Sequence, residues 1–159
     1  MKISPCNKFQ STSISTAIRI LNGLNTNLGR PQQHINSSIT VAVRYNPQSI
    51  GDQAGIVAFQ NRNYYYFLGI RKKENRDSVF LEKRVNGNST DVTSEFIDLP
   101  YPIYLKIESQ GEIYRFFYAL KPNEWQQIGG SQDGKILSTK VAGGFVGTMY
   151  GMYAFNPID

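Results

Sequence analysis

Ile39-Thr40-Val41-Ala42-Val43-Arg44-Tyr45 is the stretch on which the fold turns. In an extended chain Ile39, Val41, Val43 and Tyr45 fall on one side, and Thr40, Ala42 and Arg44 on the other. A period of two predicts a strand with one face buried, and Asn46-Pro47 ends it. The same rhythm continues in both directions. Ala54 to Gln60 reads as the next strand and Asn61-Arg62-Asn63 as the turn after it. Tyr64 to Ile70 is almost wholly apolar or aromatic, as expected of a strand covered on both faces. Ser78 to Val85 follows, closed by Asn86-Gly87-Asn88, where Asn-Gly signals a hairpin.

Beyond Pro100-Tyr101-Pro102, Ile103, Leu105 and Ile107 form the inward set of a further strand. Gln110-Gly111 turns the chain into Ile113 to Ala119, which carries Tyr114, Phe116 and Tyr118 on one face. Lys121-Pro122-Asn123 leads to a short strand at Trp125 to Ile128, and Thr148 to Phe155 closes the fold. Upstream, Ala17 to Leu21 reads as the first strand. With about nine short strands, frequent turns and no amphipathic helix, the pattern predicts an all-β protein, an antiparallel β-sandwich or barrel. No interior linker divides it. The expectation is one domain over 17–159 behind a loose, Ser- and Thr-rich lead-in over 1–16.

Composition narrows the function classes. The 159 residues suffice for one well-buried domain. Aromatic residues reach 13% while charged ones stop at 18%, which argues against disorder. The net charge of +5 has one dense basic run, Arg71-Lys72-Lys73-Glu74-Asn75-Arg76. Between two strand-like segments it reads as a solvated hairpin tip, with nucleic-acid binding by Arg71, Lys72, Lys73 and Arg76 as the weaker reading.

One cysteine, Cys6, excludes an internal disulfide, and a single histidine, His34, excludes a multi-histidine metal site. No loop has the D-x-D-x-D ligand spacing of calcium, so no metal or other cofactor is expected. The N-terminal residues lack the apolar run of a signal-peptide core, which leaves the compartment open. Val141 to Phe155 is uncharged, with Gly143, Gly147 and Gly151 at four-residue spacing. It is too short to span a membrane and reads as a buried strand entered through a glycine turn.

Catalytic signatures are absent: there is no G-x-S-x-G, no phosphate-binding G-x-x-x-x-G-K-[ST] and no H-E-x-x-H. A serine triad would have to use His34, which reads first as a structural histidine ahead of a strand. Glycoside hydrolysis needs two carboxylates across a cleft. Glu108 and Glu112 flank one turn, but at a solvent-facing hairpin end with nothing to raise either pKa. No catalytic residue is assigned. The aromatics remain: rings stack on the C–H faces of sugars, and Asn, Gln and Arg bind sugar hydroxyls. Tyr64 and Tyr66 share a strand face opposite Tyr65, so core packing claims part of that cluster.

Five strings in order then resemble a known family. They are Arg30-Pro31-Gln32-Gln33-His34, Asp52-Gln53-Ala54-Gly55-Ile56-Val57-Ala58-Phe59-Gln60-Asn61, Tyr64-Tyr65-Tyr66-Phe67-Leu68-Gly69, Leu105-Lys106-Ile107-Glu108 and Leu137 through Gly147. Together they resemble the C-terminal concanavalin A-like module of family 43 glycoside hydrolases, the β-xylosidase and α-L-arabinofuranosidase group, over roughly Ala17 to Phe155. The resemblance implies a jelly-roll sandwich of two curved antiparallel sheets that follows a catalytic five-bladed β-propeller in the parent enzyme. Met1 to Thr16 departs from the family pattern.

It further implies an accessory module, inert alone, that stabilises the propeller and shapes its sugar pocket. In such enzymes a loop of the module supplies an aromatic residue to that pocket, and Phe145, set between glycines, is the matching position. Arg30 and His34 belong to a string shared with the family and are further candidate ligand contacts. The expected partners are the propeller and a xylan-type oligosaccharide, with no nucleic acid and no membrane. The alternative is a free-standing carbohydrate-binding module using Tyr64 and Trp125.

Overall fold

The structure is a computed structural model that describes residues 2–3, 36–98, 102–143 and 148–155. Among the described residues, ten strands form two five-stranded sheets. In chain order they are β1 (Lys2–Ile3), β2 (Asn36–Val43), β3 (Gln53–Asn61), β4 (Tyr64–Lys73), β5 (Arg76–Val85), β6 (Asn88–Ile97), β7 (Ile103–Gln110), β8 (Ile113–Ala119), β9 (Gln126–Asp133) and β10 (Met149–Phe155). The first sheet runs β1-β2-β7-β8-β9 and the second β10-β3-β4-β5-β6. All pairings are antiparallel except the two-residue bridge of β1 to β2. The expected all-β sandwich is present. The proposed strand Ala17 to Leu21 lies outside the described residues, as does the lead-in apart from Lys2 and Ile3.

Ile39, Val41, Val43, Ile103, Leu105, Ile107, Phe116 and Ile128 face Ile56, Tyr66, Leu68, Ile70, Val79 and Leu81 in one core between the sheets. Three hydrogen bonds made by hydroxyls tie the layers together. Tyr66 donates to the Asp133 carbonyl at 2.8 Å, and the Tyr118 hydroxyl lies 2.8 Å from Glu95 Oε2. At one end of the sandwich Ser37 and Tyr150 hydroxyls meet at 2.7 Å. Each buries a polar atom only with a partner, as the low-dielectric interior requires.

β4 is buried on both faces, as its composition indicated. Its outer face contributes Tyr65 and Phe67 to a second cluster with Val57, Phe59 and Phe80, against which Met149 and Tyr153 pack. Phe67 meets Phe80 and Tyr153 edge-to-face, each at 5.1 Å between centroids. Gly55 and Gly69 stand opposite each other on this face. A Cβ at Gly55 would lie 2.1 Å from the Leu68 carbonyl oxygen, so only glycine permits this approach of β3 to β4.

Several boundaries differ from the sequence reading. β6 was not expected: its exposed Asn, Ser, Thr, Asp and Glu side chains lack the apolar alternation of a half-buried strand. Backbone pairing to β5 holds it as an edge. The Asn86-Gly87 turn that joins them has φ of 51° and 81°, the positive values of a tight hairpin. β9 runs on to Asp133 past Gly129 and Gly130, whose positive φ marks the bulge that hid its second half. Val141 and Ala142 belong to a short helix, α1 (Thr139–Ala142), preceded by a 3-10 turn at Gly134–Leu137. The closing strand therefore starts at Met149 and, as an edge strand, is only partly buried. The basic run is the expected hairpin tip. Arg71 pairs with Asp91, Lys72 lies 3.8 Å from Asp77, and Arg76 covers the Phe96 ring.

Candidate functional site

Of the sequence-derived contacts, Arg30, His34 and Phe145 lie outside the described residues. Tyr64 and Trp125 are described and are not brought together. Tyr64 starts β4 in the second sheet and packs, partly buried, against the core between the sheets. Trp125 sits on the outer face of the first sheet, against Lys106 of β7. The Lys106 ammonium is 4.5 Å from the Trp125 ring centroid and 4.6 Å from that of Phe117, and 2.9 Å from Glu108. One face of the indole is therefore taken by a cation.

The stretch that carries Phe145 is bounded by anchored backbone. Asn61 Nδ2 donates to the Ala142 carbonyl at 3.0 Å and Gln60 Nε2 to the Gly143 carbonyl at 3.2 Å. On the far side Thr148 Oγ1 donates to the Leu137 carbonyl at 3.2 Å. The ends of β3 and of the 3-10 turn thus hold the backbone at Ala142 and Gly143 and the side chain of Thr148.

Two hollows open on the described surface. One, about 550 Å³, lies over the ends of β2 and β7 among Asn36, Ser37, Glu108, Ser109, Gln110 and Arg115. Ser37 and Ser109 hydroxyls are 2.8 Å apart there, and Tyr150 reaches both. The other, about 390 Å³, lies on the outer face of the second sheet among Arg62, Asn63, Tyr65, Arg84 and Tyr153. Tyr65 donates to Glu82 Oε1 at 2.8 Å beside it. Burial raises the Tyr65 hydroxyl pKa and pushes that of Tyr153 up to about 12, so both phenols keep their protons at neutral pH.

Among the described lining residues the first hollow has one carboxylate and the second none. Glu108 and Glu112 pair with different lysines, Lys106 and Lys135. The two-carboxylate arrangement of glycoside hydrolysis is not assembled in either hollow. What the two hollows present is hydrogen-bonding groups, ring faces and charge. Sequence reasoning passed over Arg62, Arg84 and Tyr153. Their meeting depends on the registers Tyr65↔Arg84 and Tyr153↔Gly55, which join β4 to β5 and β10 to β3.

The two five-stranded sheets, antiparallel but for the β1–β2 bridge, define a concanavalin A-like sandwich. Residues 21–159 match the model of the β-xylosidase C-terminal concanavalin A-like domain. The chain belongs to that family, whose relatives here are family 43 glycoside hydrolases. It is 25% identical over 127 residues to the non-reducing end α-L-arabinofuranosidase BoGH43B of Bacteroides ovatus, covering 80% of this chain and 24% of that protein. It is 27% identical over 114 residues to the xylan 1,3-β-xylosidase of a Vibrio species, covering 69% and 21%. A family 43 crystal structure from a capybara gut metagenome superposes with a TM-score of 0.71 at 32% identity, covering 79% of this chain and 24% of that one. The chain thus spans about a quarter of the length of these relatives.

Proposed function

We propose that this chain is the accessory C-terminal module of a xylan-directed family 43 hydrolase, inert alone, which stabilises the catalytic propeller and shapes one wall of its sugar pocket. The observation that carries the reading is the family match over residues 21–159 to a domain defined by its C-terminal place in β-xylosidases. Phe145 is the proposed contribution to the pocket. The hydrogen bonds that anchor Ala142, Gly143 and Thr148 support it, because a residue that narrows a pocket must be held at a fixed root. The proposed partners are the propeller and a xylan-type oligosaccharide.

The test uses the chain alone and joined to a family 43 propeller. The isolated chain should leave nitrophenyl β-xyloside and nitrophenyl α-arabinofuranoside uncleaved. The joined protein should cleave one of them, and Phe145→Ala should change KM more than it changes stability. Turnover by the isolated chain that survives re-purification would overturn the reading. The alternative of a free-standing binding module requires an open aromatic platform. Tyr64 packs against the core and one face of Trp125 is taken by Lys106, which favours the accessory role.

A further inference from the structure

We infer that the hollow bounded by Arg62, Asn63, Tyr65, Arg84 and Tyr153 is a binding site for a sugar that carries a carboxylate, a uronic acid unit. The sugar class rests on the reading of the chain as part of a xylan-directed enzyme; the carboxylate rests on the hollow alone.

Two turns bring the guanidiniums to one end of the second sheet. Arg62 and Asn63 form the β3–β4 turn, and Arg84 lies just before the β5–β6 turn. The Gly87 amide donates to the Asn63 carbonyl at 3.1 Å, which locks the turns together. Tyr65 stands directly opposite Arg84 in the β4–β5 ladder, and the guanidinium lies 5.8 Å from its ring centroid.

Neither arginine is in an ion pair among the described residues, although another arginine of this face, Arg71, is paired with Asp91. Arg84 Nε is buried without a hydrogen-bond partner, while the guanidinium also hydrogen-bonds to the Tyr65 hydroxyl and its Nη1 lies 3.4 Å from Ser89 Oγ. A buried N–H left unmatched is costly, and a carboxylate is the acceptor that fits a guanidinium fork.

The rest of the hollow suits a ring bearing hydroxyls. Tyr153 and Tyr65 offer aromatic surface and protonated phenols, and Asn63 offers a carboxamide that both donates and accepts. The volume of about 390 Å³ falls in the range of small-molecule sites, roughly 300–1,000 Å³. Glu82, held by Tyr65, adds a negative charge beside the site. That charge disfavours a phosphate dianion and leaves a monoanionic carboxylate as the better match.

The test is an amide-shift NMR titration of the full 159-residue chain with methyl β-glucuronide, methyl β-glucoside and inorganic phosphate. The glucuronide should perturb Asn63, Tyr65 and Tyr153 and bind at least about tenfold more tightly than the other two, as charge-assisted hydrogen bonds imply. Arg84→Gln and the exposed Arg62→Gln should each weaken it severalfold, whereas Arg71→Gln, on the same face but outside the hollow, should not. Glucuronide binding no stronger than glucoside or phosphate, or unaffected by both Arg62→Gln and Arg84→Gln, overturns the proposal. Failure of the accessory-module reading would appear instead in the nitrophenyl glycoside assay, which involves no uronic acid.

Discussion

Gly55→Ala sets two effects of opposite sign against each other. Alanine restricts the unfolded chain and suits a strand better than glycine, a gain of roughly 0.5–1 kcal/mol. The added methyl carbon would lie 2.1 Å from the Leu68 carbonyl oxygen and 2.4 Å from Gly69 Cα, both backbone atoms. Real contacts stop near 3.0 Å, so β3 and β4 must part by nearly an ångström. A ladder bond of about 2.9 Å stretched by that amount is no longer a hydrogen bond. One or two such losses at about 1 kcal/mol each, with about 1–3 kcal/mol of overpacking, outweigh the gain. The expected net loss is about 2–4 kcal/mol, and the thermal midpoint should fall by about 5–15 °C. Urea unfolding followed by Trp125 fluorescence and by far-UV circular dichroism measures it. Gly130→Ala is the comparison: φ is +64° there but nothing lies within 4 Å of the new carbon, so only backbone strain of about 1 kcal/mol applies. A Gly55→Ala midpoint at or above that of the parent would refute the steric argument.

Tyr66→Phe removes the hydroxyl that donates to the Asp133 carbonyl. It should cost about 1–2 kcal/mol in urea unfolding while the ring contacts with Tyr114 and Phe116 persist. Tyr45, Tyr114, Tyr118 and Tyr153 are each pushed up to about 12, first by burial. Their contribution to stability is whole below the unfolded-state pKa near 10 and is lost as pH rises from there through about 12. Chemical denaturation should therefore show stability level through pH 9 and falling steeply above 10, with tyrosinate absorbance rising together with unfolding. Trp125→Ala should leave the affinity of calorimetrically titrated neutral xylo-oligosaccharides unchanged, because Lys106 already occupies one face of the indole.

Much of the fold was legible because its strands carry a local signal. Ile103, Leu105 and Ile107, or Tyr114, Phe116 and Tyr118, sit inward because neighbouring residues along the same strand alternate. β6 escaped notice because its stability comes from pairing with β5, and its own side chains face water. The second half of β9 was masked by Gly129 and Gly130, which read as a stop and are in fact a bulge. The candidate contacts divided for a related reason. Tyr64 and Trp125 carry the right chemistry for sugar, but inward packing and a lysine across the ladder claim them.

The sequence by itself determined the all-β class, the positions of most turns and the family, since each is written in residues close together along the chain. The tertiary structure alone decided which aromatic residues are core and which side chains meet. Arg62 and Tyr65 come from the β3–β4 hairpin, Arg84 from the end of β5 and Tyr153 from β10, and the registers of three strand pairs bring them into one hollow. A register shift of one residue would carry Arg84 to the opposite face, so composition and local pattern hold no record of that meeting.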